Sequence, residues 1–248
     1  MTPSETTFVA ELEALRRNAE EASQFLFAHL AINRLAKQRR RILKVLQRDS
    51  LFWLTVQSAL FGSALLAVGR IFDQRSHHNL DRLLKMARDT PALFTREALA
   101  RRKQAGGPEP SWLSDYVHNA HVPNTSDFRM LKHHVKRLRG IYESKYRDLR
   151  HTVVAHTGSL DANTIKAQFA RTNRVEFQRL VISLCAIHDA LWNLFVNARK
   201  PVLRRLRYSA TPPAGIDPSP LVTSTPPHQR IAAQAERLLR AAGGLTIG

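Results

Sequence analysis

The stretch YRDLRHTVVAH, Tyr146 to His156, places two arginines and two histidines within eleven residues. Arg150 carries a permanent planar charge suited to stabilising a crowded phosphate. His156 titrates near neutral pH and is suited to exchanging protons with an attacking or leaving oxygen. On one straight helix, two side chains six residues apart point roughly 120° away from one another and lie about 9 Å apart along the axis. Two devices would bring them to one phosphate. The helix loosens after Val154, or a two-fold dimer sets the Arg150 and His156 of one chain against those of its mate. Either gives a cationic site that needs no metal. Near the carboxyl end of a helix, the dipole also favours an imidazolium at His156.

The neighbouring polar residues have plainer readings beside the chemical ones. Arg147 and His151 serve either as further phosphate contacts or as solvated side chains, and Arg147 can pair with Glu143 four residues earlier. Arg70, with Asp73, makes either a structural ion pair or a further RNA contact. The doublets His77-His78 and His133-His134 suggest metal ligands, but adjacent residues point about 100° apart on a helix. No acidic cluster accompanies them, so no metal is assigned. Tyr142 and Tyr146 step along the Arg150 side at four-residue spacing, where they either stack on bases or fill the core.

These residues need helices to position them, and the chain reads as helical almost throughout. Phe8, Leu12, Leu15, Ala19, Ala22 and Phe25 or Leu26 recur at helical spacing after a start near Ser4, and Leu30 to Leu46 continues the rhythm with RLAKQRRR on the exposed side. Asn79 begins a short helix, LDRLLKMARD, that ends before Pro91, and Phe94 to Gln104 forms another. Residues 105 to 125 read as a loop. Ser126 or Asp127 caps a long helix with Met130-Leu131, Val135, Leu138, Ile141-Tyr142 and Leu149 inward. It runs to His156, with Gly158 as its stop. Val175 to Val196 is the last long helix. No alternating strand pattern occurs, so the expected fold is all-α: an antiparallel helical bundle over residues 1–200. Residues 201–248 form a proline-rich linker plus a short amphipathic helix, with Ile231, Ala235, Leu238 and Leu239 on one face.

Composition narrows the partners. The formal charge of +18, from 38 Lys and Arg against 20 Asp and Glu, favours a polyanion such as RNA. One cysteine, Cys185, excludes an intrachain disulfide framework and fits a cytoplasmic protein. Leu51 to Gly69 has no charged residue and approaches the length of a membrane span. Its polar and glycine residues point instead to a core helix buried on most sides, so no membrane is expected. The same segment leaves a membrane-associated basic protein as a more remote reading.

The segment RHTVVAH, an arginine followed after a few residues by a histidine, resembles the signature of the higher eukaryote and prokaryote nucleotide-binding superfamily, HEPN. The upstream LAVGRIFDQRSHHNLDRLLKMARD, Leu66 to Asp89, is similar to the segment preceding that signature in the abortive-infection U branch. The resemblance covers about residues 5 to 198 in helix order. It implies an all-helical homodimer, a metal-independent endoribonuclease of toxin–antitoxin or phage-defence systems, and a possible cognate antitoxin. Arg150 and His156 would be catalytic, Arg147, His151 and Arg70 would touch RNA, and no cofactor would be required. The alternative from another class is a non-catalytic HEPN bundle that binds RNA or a protein.

Overall fold

A computed structural model describes residues 1–104, 107–151, 170, 172–204, 206, 208–211 and 226–244. Helices dominate, and no strand occurs among the described residues. In chain order they are α1 Pro3–Gln38, α2 Arg40–Arg48, α3 Ser50–Phe72, α4 Leu80–Asp89, a 3-10 turn Pro91–Phe94, α5 Arg96–Gln104, α6 Leu113–His118, α7 Thr125–Lys145, α8 Arg147–Arg150, α9 Arg174–Asn197 and α10 Pro227–Ala242. The all-α expectation holds. Two compact units share these helices: Met1–Asn18, Arg70–Arg147 and Ser183–Leu206 in the first, and Ala19–Gly69, Asp148–Ile182 and Arg207–Gly248 in the second.

In the first unit the core is aromatic. Phe8 packs edge-on to Phe94 with ring centroids 5.7 Å apart and lies 5.1 Å from Phe195, while Phe94 meets Phe128 at 5.9 Å. Burying such a side chain contributes about 1.5–3 kcal/mol. The start of α1 is fixed by a reciprocal cap at Thr2, two residues before the Ser4 that the sequence suggests. The Glu5 amide donates to Thr2 Oγ1 and the Thr2 amide donates to Glu5 Oε2. On α4, Asn79 Oδ1 accepts from the Arg82 amide at 3.0 Å, the cap anticipated from sequence. The region expected to be loop contains α6. Its Tyr116 hydroxyl donates to the Asn197 carbonyl at 3.0 Å, tying α6 to the end of α9.

The second unit is organised around Ile32 and Leu35 of α1, Ile42 of α2 and Leu239 of α10. Trp53, Val56 and Leu60 pack against this cluster from α3. The tail helix therefore docks back on α1 and α2, aided by Arg34 Nη2 donating to Glu236 Oε2 at 2.6 Å. Its register differs from the sequence expectation. His228, Ala232, Ala233 and Leu239 are buried, whereas Leu238 is exposed. α1 runs unbroken through both rhythmic stretches of the sequence as far as Gln38, then breaks at Arg39 in extended backbone.

α3 corrects the expectation of a core helix buried on most sides. Its second half is buried at Ala64, Leu65, Ala67 and Val68, but Leu51, Phe52 and Leu54 are 80%, 61% and 66% exposed. Mean hydropathy could not reveal this, because it counts apolar residues without saying whether neighbours cover them. α3 and α9 are both long and apolar enough to cross a membrane by length and composition. α9 is the more deeply buried, with Phe177, Leu184, Ile187 and Leu191 fully inside.

Candidate nucleic-acid and catalytic site

α7 leads into the signature segment, and its own start is firmly set. Asn124 Oδ1 accepts from the amides of Ser126 and Asp127 at 2.9 and 3.2 Å, and Asp127 Oδ2 accepts from the Asn124 amide at 3.0 Å. This reciprocal cap makes Asn124 the N-cap, ahead of the Ser126 or Asp127 read from sequence. Buried Asp127 also lies 2.9 Å from His121 Nε2, and the His121 amide donates to the Ala198 carbonyl at 2.9 Å. From there Phe128, Leu131, Val135, Leu138 and Tyr142 form the buried stripe. Met130, expected inward, is exposed instead.

The helix does not continue to His156 without interruption. α7 ends at Lys145, Tyr146 serves as its C-cap, and its amide donates to the Tyr142 carbonyl at 2.8 Å. The single turn of α8, RDLR, then follows, with Leu149 buried. Tyr142 stacks on Phe72 with centroids 5.3 Å apart, and Tyr146 is fully buried. Both tyrosines therefore fill the interior and present no face for base stacking.

Arg147 is exposed at the start of α8 and Arg150 is half-buried at its end. Three residues apart, they share one side of a helical turn. His151 follows and is exposed. His156, Val154 and Gly158 lie outside the described residues. Arg70, at the C-terminal end of α3, donates from Nε to Asn18 Oδ1 at 2.7 Å. Asp73 accepts from the Arg75 amide at 3.0 Å. Among the predicted site residues, the described structure thus groups Arg147, Arg150 and His151 along the chain. Arg70 sits on a different helix, against α1.

Cationic and aromatic residues that were not singled out from sequence gather elsewhere in the first unit. Trp112, Asp115, Tyr116, Asn119, Asn197 and Arg199 line a shallow cleft, in which Trp112 is half-exposed. Lys103 Nζ donates to Asn197 Oδ1 at 3.1 Å and sits 5.4 Å over the Tyr116 ring. An exposed indole beside guanidinium and ammonium groups is suited to stacking a base and holding its phosphate. SWLSDY, inside a Gly- and Pro-rich stretch, was the available signal. The histidine doublets take separate local roles: His78 Nδ1 lies 3.0 Å from Glu11, and His134 lies against Arg137. Burial, then the nearby Arg137 charge, lowers the pKa of His134.

A family model described as AbiU2, of HEPN type, matches residues 5–210. No curated protein and no solved structure matches the chain.

Proposed function

Because this chain belongs to the HEPN-type AbiU2 family, we propose that it is a metal-independent endoribonuclease acting in abortive infection or as a toxin. The observation that carries this reading is RHTVVAH within the matched region, following a helix that stops short at Tyr146 and leaves Arg150 at the end of its own turn. The reaction is a transesterification in which the RNA 2′-hydroxyl attacks the adjacent phosphorus and the 5′-oxygen leaves. His156 takes the proton from the nucleophile or delivers one to the leaving oxygen, a role typically worth about 10²–10⁴ in rate. Arg150 stabilises the added negative charge on the phosphate. Arg147, His151 and Arg70 position the strand, and a homodimer places two copies of the segment together.

Analysis of the RNA ends tests this chemistry. Products should carry 2′,3′-cyclic phosphate and 5′-hydroxyl termini, and Arg150→Ala should weaken both cleavage and RNA affinity. RNA binding should also weaken steeply with salt, as phosphate neutralisation releases counterions. Products bearing 5′-phosphates would exclude this mechanism. Binding without cleavage would favour the non-catalytic HEPN bundle, whose charge and exposed Trp112 would serve RNA capture alone.

A further inference from the structure

Between the end of α1 and the first turns of α3, the second unit presents charge and apolar surface side by side. Lys37, Arg39, Arg40, Arg41 and Lys44 are all exposed, and among the described residues none has an ion-pair partner. Arg34 and Arg48 are different, being paired with Glu236 and Asp49. Only Asp49 separates α2 from α3, so the basic helix runs directly into exposed Leu51, Phe52 and Leu54. Leu43, on α2 between the cations, is also exposed. The inward stripes of both helices are already used: Ile42 and Leu46 of α2, and Trp53, Val56 and Leu60 of α3, pack on one cluster. The outward stripes are therefore fixed in place by the fold rather than exposed by fraying.

We propose that this face of α2 and α3 docks on an anionic lipid membrane. The five unpaired cations meet the headgroups while Leu43, Leu51, Phe52 and Leu54 enter the headgroup–acyl boundary. Charge decides between the possible occupants. A second copy of the chain seated on the same face would bring ten such cations together, five from each protomer, against one Asp49 carboxylate apiece that Arg48 already occupies. RNA would satisfy the cations but leave three aliphatic chains and a phenyl ring without an apolar partner, whereas a lipid surface satisfies both. The inward stripe of α3 stays on its own core, so the helix lies along the surface instead of crossing it.

Flotation of the full-length protein with vesicles of phosphatidylcholine, alone or mixed with phosphatidylserine, tests this assignment. The protein should float with the mixed vesicles and not with phosphatidylcholine alone, and high salt should weaken the binding. Phe52→Ser should lower the affinity about tenfold by removing one buried ring. The triple change Arg39→Glu, Arg40→Glu, Arg41→Glu should abolish it. All of these side chains are exposed, so circular dichroism of each variant should match the wild type. Failure to float with either vesicle overturns the proposal. So does vesicle binding indifferent to Phe52→Ser. Without vesicle binding, RNA affinity lost only in the triple variant would reassign the face to nucleic acid, and a dimer dissociated by Phe52→Ser would reassign it to a second copy. Ribonuclease activity of the wild type in vesicle-free buffer is a separate measurement, and its absence would leave the flotation result standing.

Discussion

In the first unit, Arg102 is nearly enclosed. It donates to Glu5 Oε1 at 2.8 Å, to the Leu93 carbonyl at 2.9 Å and to the Phe195 carbonyl at 2.8 Å, and its guanidinium lies 4.2 Å from the Phe195 ring centroid. In the second unit, Arg40 projects from α2 into solvent beside cations of its own sign. The two residues show that a net charge of +18 is not a single property. A desolvated arginine needs its carboxylate and carbonyl partners to be tolerated at all, so it fixes three elements together. A solvated arginine costs the fold little and is available to an external anion.

The largest stability effect should come from the enclosed group. Burial alone would raise the pKa of Glu5, but hydrogen bonds from the Thr2 amide, Arg102 and Arg101 outweigh it and hold the carboxyl at about 2. Glu5→Ala removes the side-chain half of the reciprocal α1 cap and leaves Arg102 without its counterion, so urea denaturation should show a loss of about 3–5 kcal/mol. A loss below about 1 kcal/mol would mean that the enclosed and open arginines are energetically alike.

The second unit has its own buried ionisable group, His228, which sharpens the contrast because no charge partner accompanies it among the described residues. Its ring stacks on Tyr208 with centroids 3.7 Å apart and meets Phe27 at 5.3 Å, and burial lowers its pKa from 6.5 to about 4. Between those values the unfolded state binds a proton that the folded state refuses. Stability is therefore fully present above pH 6.5 and falls as the pH drops toward 4, by up to about 3 kcal/mol. His228→Phe should flatten this part of the profile, and the Glu5 contribution fades only below pH 4.5. An unchanged pH profile in His228→Phe would show that the histidine is not the acid-sensitive group.

Smaller effects calibrate the scale. Asn124→Ala deletes the acceptor that caps α7 and should cost about 1 kcal/mol by thermal or urea unfolding. Arg40→Ala should change stability by no more than about 0.5 kcal/mol. A cost at Arg40 comparable to that at Glu5 would erase the distinction between the two regions.

The fold was legible wherever one helical face is buried and the other is wet. The stripes of α1 and α9, the Asn79 cap and the helical tail all followed from spacing. Three features do not follow from spacing alone. The break at Tyr146 is hidden from periodicity, because Tyr142, Tyr146 and Leu149 keep helical spacing across it. The exposed start of α3 depends on what its neighbours leave uncovered. The Asn124 cap was within reach, since Asn124 precedes Asp127 by three residues, but Ser126 competed for the same role. At the candidate site, residue types suggested the chemistry, while the assignment of Arg150 and His156 rested on resemblance to a family. The exposed Trp112 and the α2 cations passed as ordinary loop and surface, because composition does not show which charges lack partners.

The central claim is that this chain cleaves RNA through His156. Purified wild type and His156→Ala should be incubated with RNA in excess chelator, and cleavage rate and RNA affinity measured side by side. Wild type should cleave in the chelator, and the variant should lose roughly two orders of magnitude or more in rate while its affinity stays within a few-fold. Equal cleavage by the two proteins, or no cleavage by wild type at any salt concentration, would contradict the ribonuclease assignment.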